Sequence, residues 1–411
     1  MTVATQKRYD IKDAGLAGQG KKRILWADGD MPVLARIRER FEKEQPLAGL
    51  RMSACLHVTA ETANLVRALE AGGAEVELAA SNPLSTQDDV AEALGVKARR
   101  GDDPAAGIAA AAKSKPLAAI DDGGDLILAL HEAGIPSGFV GATEETTIGL
   151  VRLRALEREK KLESPVLALN EAATERAFND RYGTGQSTLD GILRATNLLL
   201  AGRTVVVLGY GYTGRGIALR ARGAGAWVIV CEVDPLRALE ARMEGYEVLP
   251  AVDAAERGDL FITVTGNRGV LRAEHFERMK DGAVIANAGH FDVEVDIAAL
   301  RDAATAPPED VLPLVQRYEL GGRRLNLLAG GRVVNLAAAQ GHPAEVMDIS
   351  FALQALAIEW LATRGEGLEP AVVPVPEEID HEVARLKLDS LGVAIDELTA
   401  EQRMYLSSWL R

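Results

Sequence analysis

One segment, from Thr204 to Pro235, constrains the fold most, because it joins two apolar strands through a glycine-rich turn and a helix. Its first strand, Val205 to Leu208, is apolar and β-branched, as is typical of strands buried on both faces. Gly209, Gly211 and Gly214 follow with G-x-G-x-x-G spacing. In a dinucleotide-binding turn the first glycine makes the turn, the second admits a diphosphate, and the third lets helix and strand pack closely. The segment therefore predicts an α/β sheet with a nucleotide site.

The residues after the glycines indicate which dinucleotide is bound. A helix predicted from about Arg215 to Arg222 would offer its free N-terminal amides to the phosphates. The second strand, Trp227 to Cys231, ends in Glu232, close to the spacing of about 20 residues at which an acid holds the ribose hydroxyls of NAD. Three glycines alone could mark a tight turn without a ligand. Strand, helix, second strand and acid together predict NAD as the cofactor.

Composition and length narrow the class of protein. A chain of 411 residues is long enough for two or three domains. Its formal charge of −14, without a cluster of Lys or Arg, argues against a nucleic-acid surface. Cys55 and Cys231 lie far apart in apolar runs, so neither a disulfide framework nor a metal site is expected. No apolar run is expected to reach membrane-spanning length, since Arg203 interrupts the longest, and the N-terminus lacks a signal-peptide core. We therefore expect a cytoplasmic protein without membrane contact.

Polar residues follow several predicted strands in the first part of the chain. Apolar runs over 52–56 and 75–79 predict two strands, with a helix over 61–71 between them. Ligand groups in open α/β sheets lie where a strand passes into a helix. The polar residues at such places are His57, Thr59, Glu61, Gln87, Asp122, Glu145, Thr146 and Thr147. For the Asp-Asp-Gly-Gly run at 121–124, a plain turn with a helix cap is an alternative interpretation.

The same alternation continues on both sides of the glycine-rich turn. Later strands end in polar or small residues that should border the cofactor crevice, namely Thr265, Gly266, Asn267, Asn287, Ala288, Gly289 and His290. Before the turn, Glu175 and Asn179 lie four residues apart and so share one face of a predicted helix.

Short motifs follow one another along nearly the whole chain. They are CLHVTAET (55–62), NPLSTQDD (82–89), DDGGDL (121–126), EETT (144–147), YGTGQS (182–187), GYGYTGRG (209–216), EVDP (232–235), TGN (265–267), NAGHFDVEVD (287–296), GRVVNL (331–336) and GHPAEVM (341–347). In this order they resemble the S-adenosylhomocysteine hydrolase family. The resemblance implies an α/β fold in which a Rossmann NAD-binding domain is inserted in a second α/β, substrate-binding domain, with a helical C-terminal tail.

The resemblance also implies domain limits and partners. The substrate-binding domain would comprise 1–180 and 345–372, the NAD-binding domain 181–344, and the tail 373–411. Members of the family hold NAD tightly and form tetramers. We therefore expect a homo-oligomer, with contacts between protomers through the tail, that acts on a small nucleoside thioether.

The reaction implied by the resemblance is a redox-assisted elimination. NAD oxidises the 3′-hydroxyl of the substrate ribose to a ketone, which acidifies the proton on C4′. A base removes that proton, homocysteine leaves from C5′, water adds to the enone, and NADH reduces the ketone again. A thiolate leaves far more easily β to a ketone, and the cofactor is regenerated within one turnover.

Motif by motif, the resemblance assigns roles to residues of this chain. The catalytic group is His57, Asp122, Glu145 and His290 around the ribose, with Glu175 and Asn179 at the family's redox-step positions. The cofactor-binding residues are Thr146, Thr147, Asp180, Gly209, Gly211, Tyr212, Thr213, Gly214, Glu232, Thr265, Asn267, Ala288, Gly289 and Asn335. The substrate-binding residues are Thr59, Glu61, Gln87, His342 and Met347.

Some positions depart from the family pattern. The family segment VNDxxTKxxFDN carries a lysine and an aspartate that are thought to deprotonate the 3′-hydroxyl, whereas LNEAATERAFND has Glu175 and Asn179 there, followed by Asp180. The exchange changes the local charge from about zero to about −1. Arg176 points roughly 100° away on a helix and is not expected to substitute. Tyr212 replaces a usual aspartate, and the C-terminal lysine- and tyrosine-bearing extension is absent. These features predict a divergent, short-tailed member that lacks the catalytic lysine.

Three functions are open on the sequence alone. The first is cleavage of S-adenosylhomocysteine or a close nucleoside analogue. The second is the same NAD oxidation applied to another nucleoside, as in an epimerase or lyase. The third is a catalytically weak, NAD-binding regulatory homologue. Retention of His57, Asp122, Glu145 and His290 favours an enzyme, and replacement of the lysine favours altered chemistry.

Overall fold

The computed structural model describes residues 15–82, 85–94, 104–365 and 367–409. Its strands in chain order are β1 (Arg51–Leu56), β2 (Glu75–Ala80), β3 (Ala118–Asp121), β4 (Gly141–Glu144), β5 (Val166–Ala168), β6 (Thr204–Leu208), β7 (Trp227–Cys231), β8 (Glu247–Val248), β9 (Leu260–Thr263), β10 (Ala283–Asn287), β11 (Glu309–Leu312), β12 (Val315–Leu320), β13 (Arg323–Leu328) and β14 (Val372–Pro374). They form two separate sheets.

Helices cover and connect these sheets. In chain order they are α1 (Ala17–Gly29), α2 (Pro32–Glu44), α3 (Ala60–Ala71), α4 (Asp88–Leu94), α5 (Pro104–Lys113), α6 (Asp125–Ala133), α7 (Thr147–Arg158), α8 (Gly185–Thr196), α9 (Tyr212–Gly223), α10 (Pro235–Met243), α11 (Ala251–Ala255), α12 (Ala273–Phe276), α13 (Ile297–Ala303), α14 (Val334–Ala337), α15 (Ala344–Arg364), α16 (Glu377–Ser390) and α17 (Ala400–Ser407). A π-helix, Glu175–Thr184, precedes α8.

The first sheet has six parallel strands in the order β14-β5-β4-β3-β1-β2. The central strands β3 and β4 are buried along their whole length, as strands covered by helices on both faces must be. They run in register, so that their last residues, Asp121 and Glu144, are paired. The carboxyl ends of these strands therefore place acidic groups side by side at one edge of the sheet.

The second sheet has eight strands in the order β11-β12-β13-β10-β9-β6-β7-β8, and its antiparallel pairs are β11 with β12 and β12 with β13. The strands predicted around the glycine-rich turn are confirmed to within one residue, since β6 is Thr204–Leu208 and β7 is Trp227–Cys231. The helix between them begins at Tyr212, three residues before the predicted start. Gly211 has extended backbone angles and is the N-cap residue, so the helix starts directly after it.

The connection between the sheets differs from the predicted regular helix. Residues 175–184 form a π-helix, whose hydrogen bonds span five residues rather than four. Nothing in the spacing of Glu175 and Asn179 distinguishes the two helix types. The wider turn lines the nucleotide site, in keeping with the frequent occurrence of π-helical segments at functional sites.

Helix α15 packs against the first sheet as part of its core. This helix is long and apolar enough to cross a membrane, and 67% of its apolar window is buried inside the protein. The expectation that no apolar run reaches this length is therefore wrong, because the run continues through buried polar residues. Gln354, for example, donates from Nε2 to Thr143 Oγ1 of β4 at 2.6 Å.

The C-terminal helices divide into a packed part and an exposed part. Ile379 and Val383 of α16 are buried in the core formed with α15 and α2. Beyond α16, Leu391 is 65% exposed and Trp409 is 90% exposed. The apolar surface of this tail that is open to another molecule therefore begins after α16.

Candidate active site

A cleft of about 1360 Å³ lies at the carboxyl ends of the parallel strands of both sheets. The residues predicted to belong to the site or to border it all line this cleft except Gln87, Gly214 and Asn287. Gln87 instead lines a smaller neighbouring cavity of about 560 Å³, together with Glu61 and His342. The structure thus brings the predicted catalytic, cofactor and substrate groups to one place, because carboxyl ends of parallel strands share an edge.

The glycine-rich turn is built to admit a ligand above its middle glycine. Gly209 has a φ of +111°, a conformation that favours glycine. A Cβ on Gly214 would lie 2.0 Å from the Gly209 carbonyl oxygen, so the helix can approach the strand only without a side chain there. At Gly211 an added Cβ would meet only Arg237 Nη1, at 3.8 Å, among the described atoms within 4 Å. Open space, helix amides and a guanidinium therefore meet where a diphosphate would bind.

The acid at the end of β7 is held in place by its own loop. Glu232 Oε2 accepts a hydrogen bond from Tyr210 N–H at 2.7 Å, and Oε1 accepts one from Val233 N–H at 2.7 Å. The guanidinium groups of Arg176 and Arg215 lie 5.9 Å and 5.8 Å from the ring of Tyr212, at the start of α9. The cofactor site therefore has an acidic group, Glu232, at the end of β7 and two cationic groups, Arg176 and Arg215, near the start of α9.

A buried glutamate that the sequence analysis did not single out supports the loops after β9 and β10. Glu294 accepts hydrogen bonds from the Thr265 N–H and hydroxyl, both at 2.9 Å, and from Gly266 N–H at 2.9 Å. A Cβ on Gly289 would lie 1.8 Å from Glu294 Oε1. One carboxyl group therefore holds the loop after β9 and packs against the loop after β10, and both loops line the cleft.

A histidine and an aspartate from neighbouring strand ends are in contact. His57 Nε2 lies 3.2 Å from Asp122 Oδ2, and its Nδ1 lies 2.5 Å from Ser85 Oγ. Burial lowers the pKa of His57, and nearby His290 lowers it further, against the opposing effect of Asp122. The lowered pKa favours the neutral imidazole, which can accept a proton and, once protonated, donate it.

Three carboxyl groups of the cleft have raised pKa values. Burial raises the pKa of Glu175 to about 8, although hydrogen bonds with Ser350 and Asn179 oppose the effect. Burial raises the pKa of Asp180 to about 7, with Arg176 acting against it. Burial, then the charges of Asp122 and Glu175, raises the pKa of Glu145 well above its ordinary value.

Glu175 and Asn179 are close together, as the prediction of a shared face requires. Glu175 is 4% exposed, and its Oε2 has no hydrogen-bond partner among the described residues. Asn179 Nδ2 donates to Ser350 Oγ at 2.8 Å. Arg176 turns elsewhere, with Nη2 3.3 Å from Glu171 Oε1. Oε2 of Glu175 is thus a buried oxygen, next to the cleft, whose hydrogen-bonding capacity no described residue satisfies.

The other predicted groups form the remaining walls. His342 Nε2 lies 3.0 Å from Thr184 Oγ1, and burial lowers the pKa of His342 to about 4, so it is neutral. Burial raises the pKa of Glu61, at the N-terminal turn of α3. His290 stacks edge-on against Phe291 with ring centroids 4.7 Å apart. Among the described residues, no group of three or more His, Cys, Asp or Glu is arranged to hold a metal ion.

Comparison with known proteins identifies the family. Residues 180–341 match the model described as S-adenosyl-L-homocysteine hydrolase, NAD binding domain, and residues 8–137 match the model described as S-adenosyl-L-homocysteine hydrolase. The adenosylhomocysteinase of Aquifex aeolicus is 57% identical over 98% of this chain and 99% of that protein. The chain belongs to the S-adenosylhomocysteine hydrolase family. It is an enzyme, a hydrolase of this family, and its cofactor is NAD.

Other members of the S-adenosylhomocysteine hydrolase family are similarly close. The adenosylhomocysteinases of Thermosynechococcus vestitus and Saccharolobus solfataricus are each 53% identical over 98% of this chain, covering 96% and 99% of those proteins. Among solved structures, a dipicolinate synthase chain from Bacillus halodurans has a TM-score of 0.50 and 14% identity. The match covers 77% of this chain and 99% of that one. At that identity the likeness shows the α/β fold alone.

Proposed function

We propose that this enzyme cleaves S-adenosylhomocysteine to adenosine and homocysteine by 3′-oxidation, elimination, water addition and re-reduction. The observation that carries the proposal is the single cleft in which the dinucleotide turn of one sheet faces the His57–Asp122 pair and Glu145 of the other. A sugar held between them would meet a redox cofactor and acid–base groups together. No observation favours an epimerase, a lyase or a regulatory homologue.

The cleft fits NAD, which supplies reversible two-electron oxidation at the sugar when it is bound. Gly211 and the first amides of α9 would hold the diphosphate, with Arg237 as a counter-charge. Glu232 would hold the adenosine ribose. The remaining proposed contacts are Thr146, Thr147, Asp180, Gly209, Tyr212, Thr213, Thr265, Asn267, Ala288, Gly289 and Asn335, with Gly214 packing the helix on the strand.

Glu175 is the proposed base for oxidation of the 3′-hydroxyl, in place of the lysine of the family segment. The positive nicotinamide ring of bound NAD would favour the ionised form of Glu175. Its Oε2, which has no partner among the described residues, could then take the hydroxyl proton, and NAD would supply the acceptor for the hydride of C3′. Asn179 carries no charge but keeps the carboxyl oriented through its hydrogen bond. This exchange of lysine for glutamate is the sense in which the member is divergent.

The His57–Asp122 pair is the proposed acid–base group for the elimination and the addition of water. Neutral His57 can accept a proton and, as the imidazolium, deliver it to the departing sulfur; the neutral ring that results can take a proton from the incoming water, with Asp122 orienting the ring. The raised pKa of Glu145 favours its protonated form, which can donate a hydrogen bond to a sugar oxygen, and His290 lines the same cleft. Thr59, Glu61, Gln87, His342 and Met347 are the proposed base-binding residues.

Domain limits, assembly and location belong to the same proposal. We infer a substrate-binding domain from 1–180 and 345–372, since α15 packs on the first sheet, around an NAD-binding domain from 181–344. β14 and α16, in the first part of the 373–411 segment, pack on the same substrate-binding domain. The exposed apolar residues beyond α16 support contacts of the 373–411 tail with other protomers in a homotetramer. The net charge of −14 supports an enzyme that binds neither nucleic acid nor an anionic membrane surface, and we place it in the cytoplasm as part of this proposal.

The test is to mix the NAD-loaded enzyme with S-adenosylhomocysteine and follow two signals, free thiol and the absorbance of NADH. We expect thiol release from the parent, with transient NADH formation. Glu175→Gln should lower the rate of NADH formation by at least about 100-fold, as loss of a general base does. Glu256→Gln, which removes an exposed carboxyl paired with Arg278 and lying outside both cavities, should not. Thiol release without Glu175 would refute its role, and no thiol release by the parent would refute the function.

A further inference from the structure

The carboxyl group of Glu144 lies behind the candidate active site and joins two of its loops. Its Oε1 accepts hydrogen bonds from Gly123 N–H at 2.9 Å, from Thr146 N–H at 2.8 Å and from the Thr146 hydroxyl at 2.7 Å. Gly123 directly follows Asp122, and Thr146 directly follows Glu145. One oxygen atom therefore links the strand-end loops that carry these two groups.

The carboxyl group of Glu144 is enclosed by the surrounding protein. The residue is fully buried, and it does not line the cleft. Helix α7 packs directly on it, because a Cβ on Gly149 would lie 2.3 Å from Glu144 Cδ. No described Lys or Arg forms an ion pair with it. The carboxyl group thus serves as a hydrogen-bond acceptor in the interior, where leaving a donor unpaired costs about 1–3 kcal/mol.

The neighbouring strand end repeats the arrangement. Asp121, paired in register with Glu144, accepts hydrogen bonds from Asp122 N–H at 3.0 Å and from Ile127 N–H at 2.7 Å. Burial, together with the charge of Asp121, raises the pKa of Glu144 well above its ordinary value. The raised pKa favours the uncharged form of Glu144, whose shape and charge glutamine reproduces.

We propose that Glu144 is a positioning residue of the hydrolytic reaction: it sets the spacing of Asp122 and Glu145 across the substrate ribose and the orientation of Thr146. The inference rests on the proposed function of the cleft and adds a group that touches neither substrate nor cofactor. A shift of about 1 Å in such a group can cost about 100-fold in rate.

The variants that test this are Glu144→Gln, which keeps the acceptor oxygen, and Glu144→Ala, which removes it. In the NAD-loaded enzyme, Glu144→Ala should lower kcat by about 10- to 100-fold. The KM should change less than about threefold, because the proposed base-binding residues lie on other loops. Glu144→Gln should retain kcat within about threefold. Amide hydrogen exchange at Gly123 and Thr146 should quicken in Glu144→Ala and stay unchanged in Glu144→Gln.

Ser53→Ala is the matched control for a general loss of stability. Ser53 is buried in β1 and donates to Ala111 O at 2.9 Å, away from the cleft. It should lower the Tm but keep kcat. If Glu144→Ala does not fold, Glu144→Asp replaces it, since its shorter side chain cannot reach both loops.

Four results would overturn the proposal. They are an unchanged kcat in Glu144→Ala, an equal loss in Glu144→Gln, unchanged exchange at both amides, and an equal loss of kcat in Ser53→Ala. Failure of the parent to release thiol would instead refute the proposed function, and the exchange measurement would still decide whether Glu144 holds the loops.

Discussion

Glu175→Gln should stabilise the NAD-free protein, and the gain should grow with pH. In the unfolded chain Glu175 ionises near its ordinary pKa of 4.5, whereas burial holds its pKa at about 8 in the folded protein. Below pH 4.5 the group is protonated in both states and has no effect. Between the two values folding must keep a proton that the unfolded chain releases, so rising pH favours unfolding.

The size of the effect follows from the two pKa values. At pH 7 the folded state is destabilised by about 3 kcal/mol, since each pKa unit above 4.5 corresponds to about 1.4 kcal/mol. The penalty reaches its limit of about 5 kcal/mol above pH 8. Glutamine removes it while keeping the shape, because Oε2 of Glu175 has no partner among the described residues to lose.

The assay is urea unfolding of the NAD-free parent and of Glu175→Gln at a series of pH values, at one protein concentration. We expect nearly equal unfolding free energies near pH 4.5 and a difference of about 3 kcal/mol at pH 7. Saturating NAD should reduce the difference, because the positive nicotinamide ring favours ionised Glu175. A difference that stays constant with pH would refute the assignment of a raised pKa to this residue.

Three further predictions follow from the geometry. NAD should bind at least about tenfold more tightly than NADP in calorimetry, because the carboxylate of Glu232 repels a 2′-phosphate. Glu232→Gln should therefore reduce this difference in affinity. Equal affinities of the parent for NAD and NADP would contradict the prediction. Gly149→Ala should lower stability by about 1–3 kcal/mol through overpacking against Glu144. Gly223→Ala should not, because no atom of the described residues lies within 4 Å of the added Cβ. Light scattering should show that the parent is an oligomer and that the double variant Leu406→Ser, Trp409→Ser dissociates more readily. A monomeric parent would exclude the contact through the tail.

Local patterns allowed the strands and the cofactor turn to be predicted from the sequence. Strands β6 and β7 are short, apolar and bounded by turn residues, so their limits are set within the segment itself. The start of α9 was misplaced because the N-cap role of Gly211 depends on backbone angles. The π-helix at 175–184 was missed for a similar reason, since five-residue hydrogen bonding has no residue signature.

The supporting glutamates could not be predicted because their partners come from distant segments. Glu294 accepts hydrogen bonds from residues 28 and 29 positions earlier in the chain, and Glu144 from one 21 positions earlier. The sequence shows only that each acid stands at the end of a buried strand or soon after it, and acids occupy the same positions in ordinary surface turns. Only the glycines that make room for them, Gly289 and Gly149, mark the sites in retrospect.

The buried carboxyl groups of this cleft divide by what they face. Glu145, Glu175 and Asp180 line the cleft, and burial raises their pKa values, so they can exchange protons with a ligand. Glu144 and Glu294 lie behind it and accept hydrogen bonds from loop amides and hydroxyls. Substitution by glutamine should therefore have different consequences. It removes the function of an acid that must transfer a proton, and it preserves that of Glu144, whose hydrogen bonds all reach one oxygen. Glu294 accepts through both oxygens, so glutamine would leave one backbone N–H there without its acceptor.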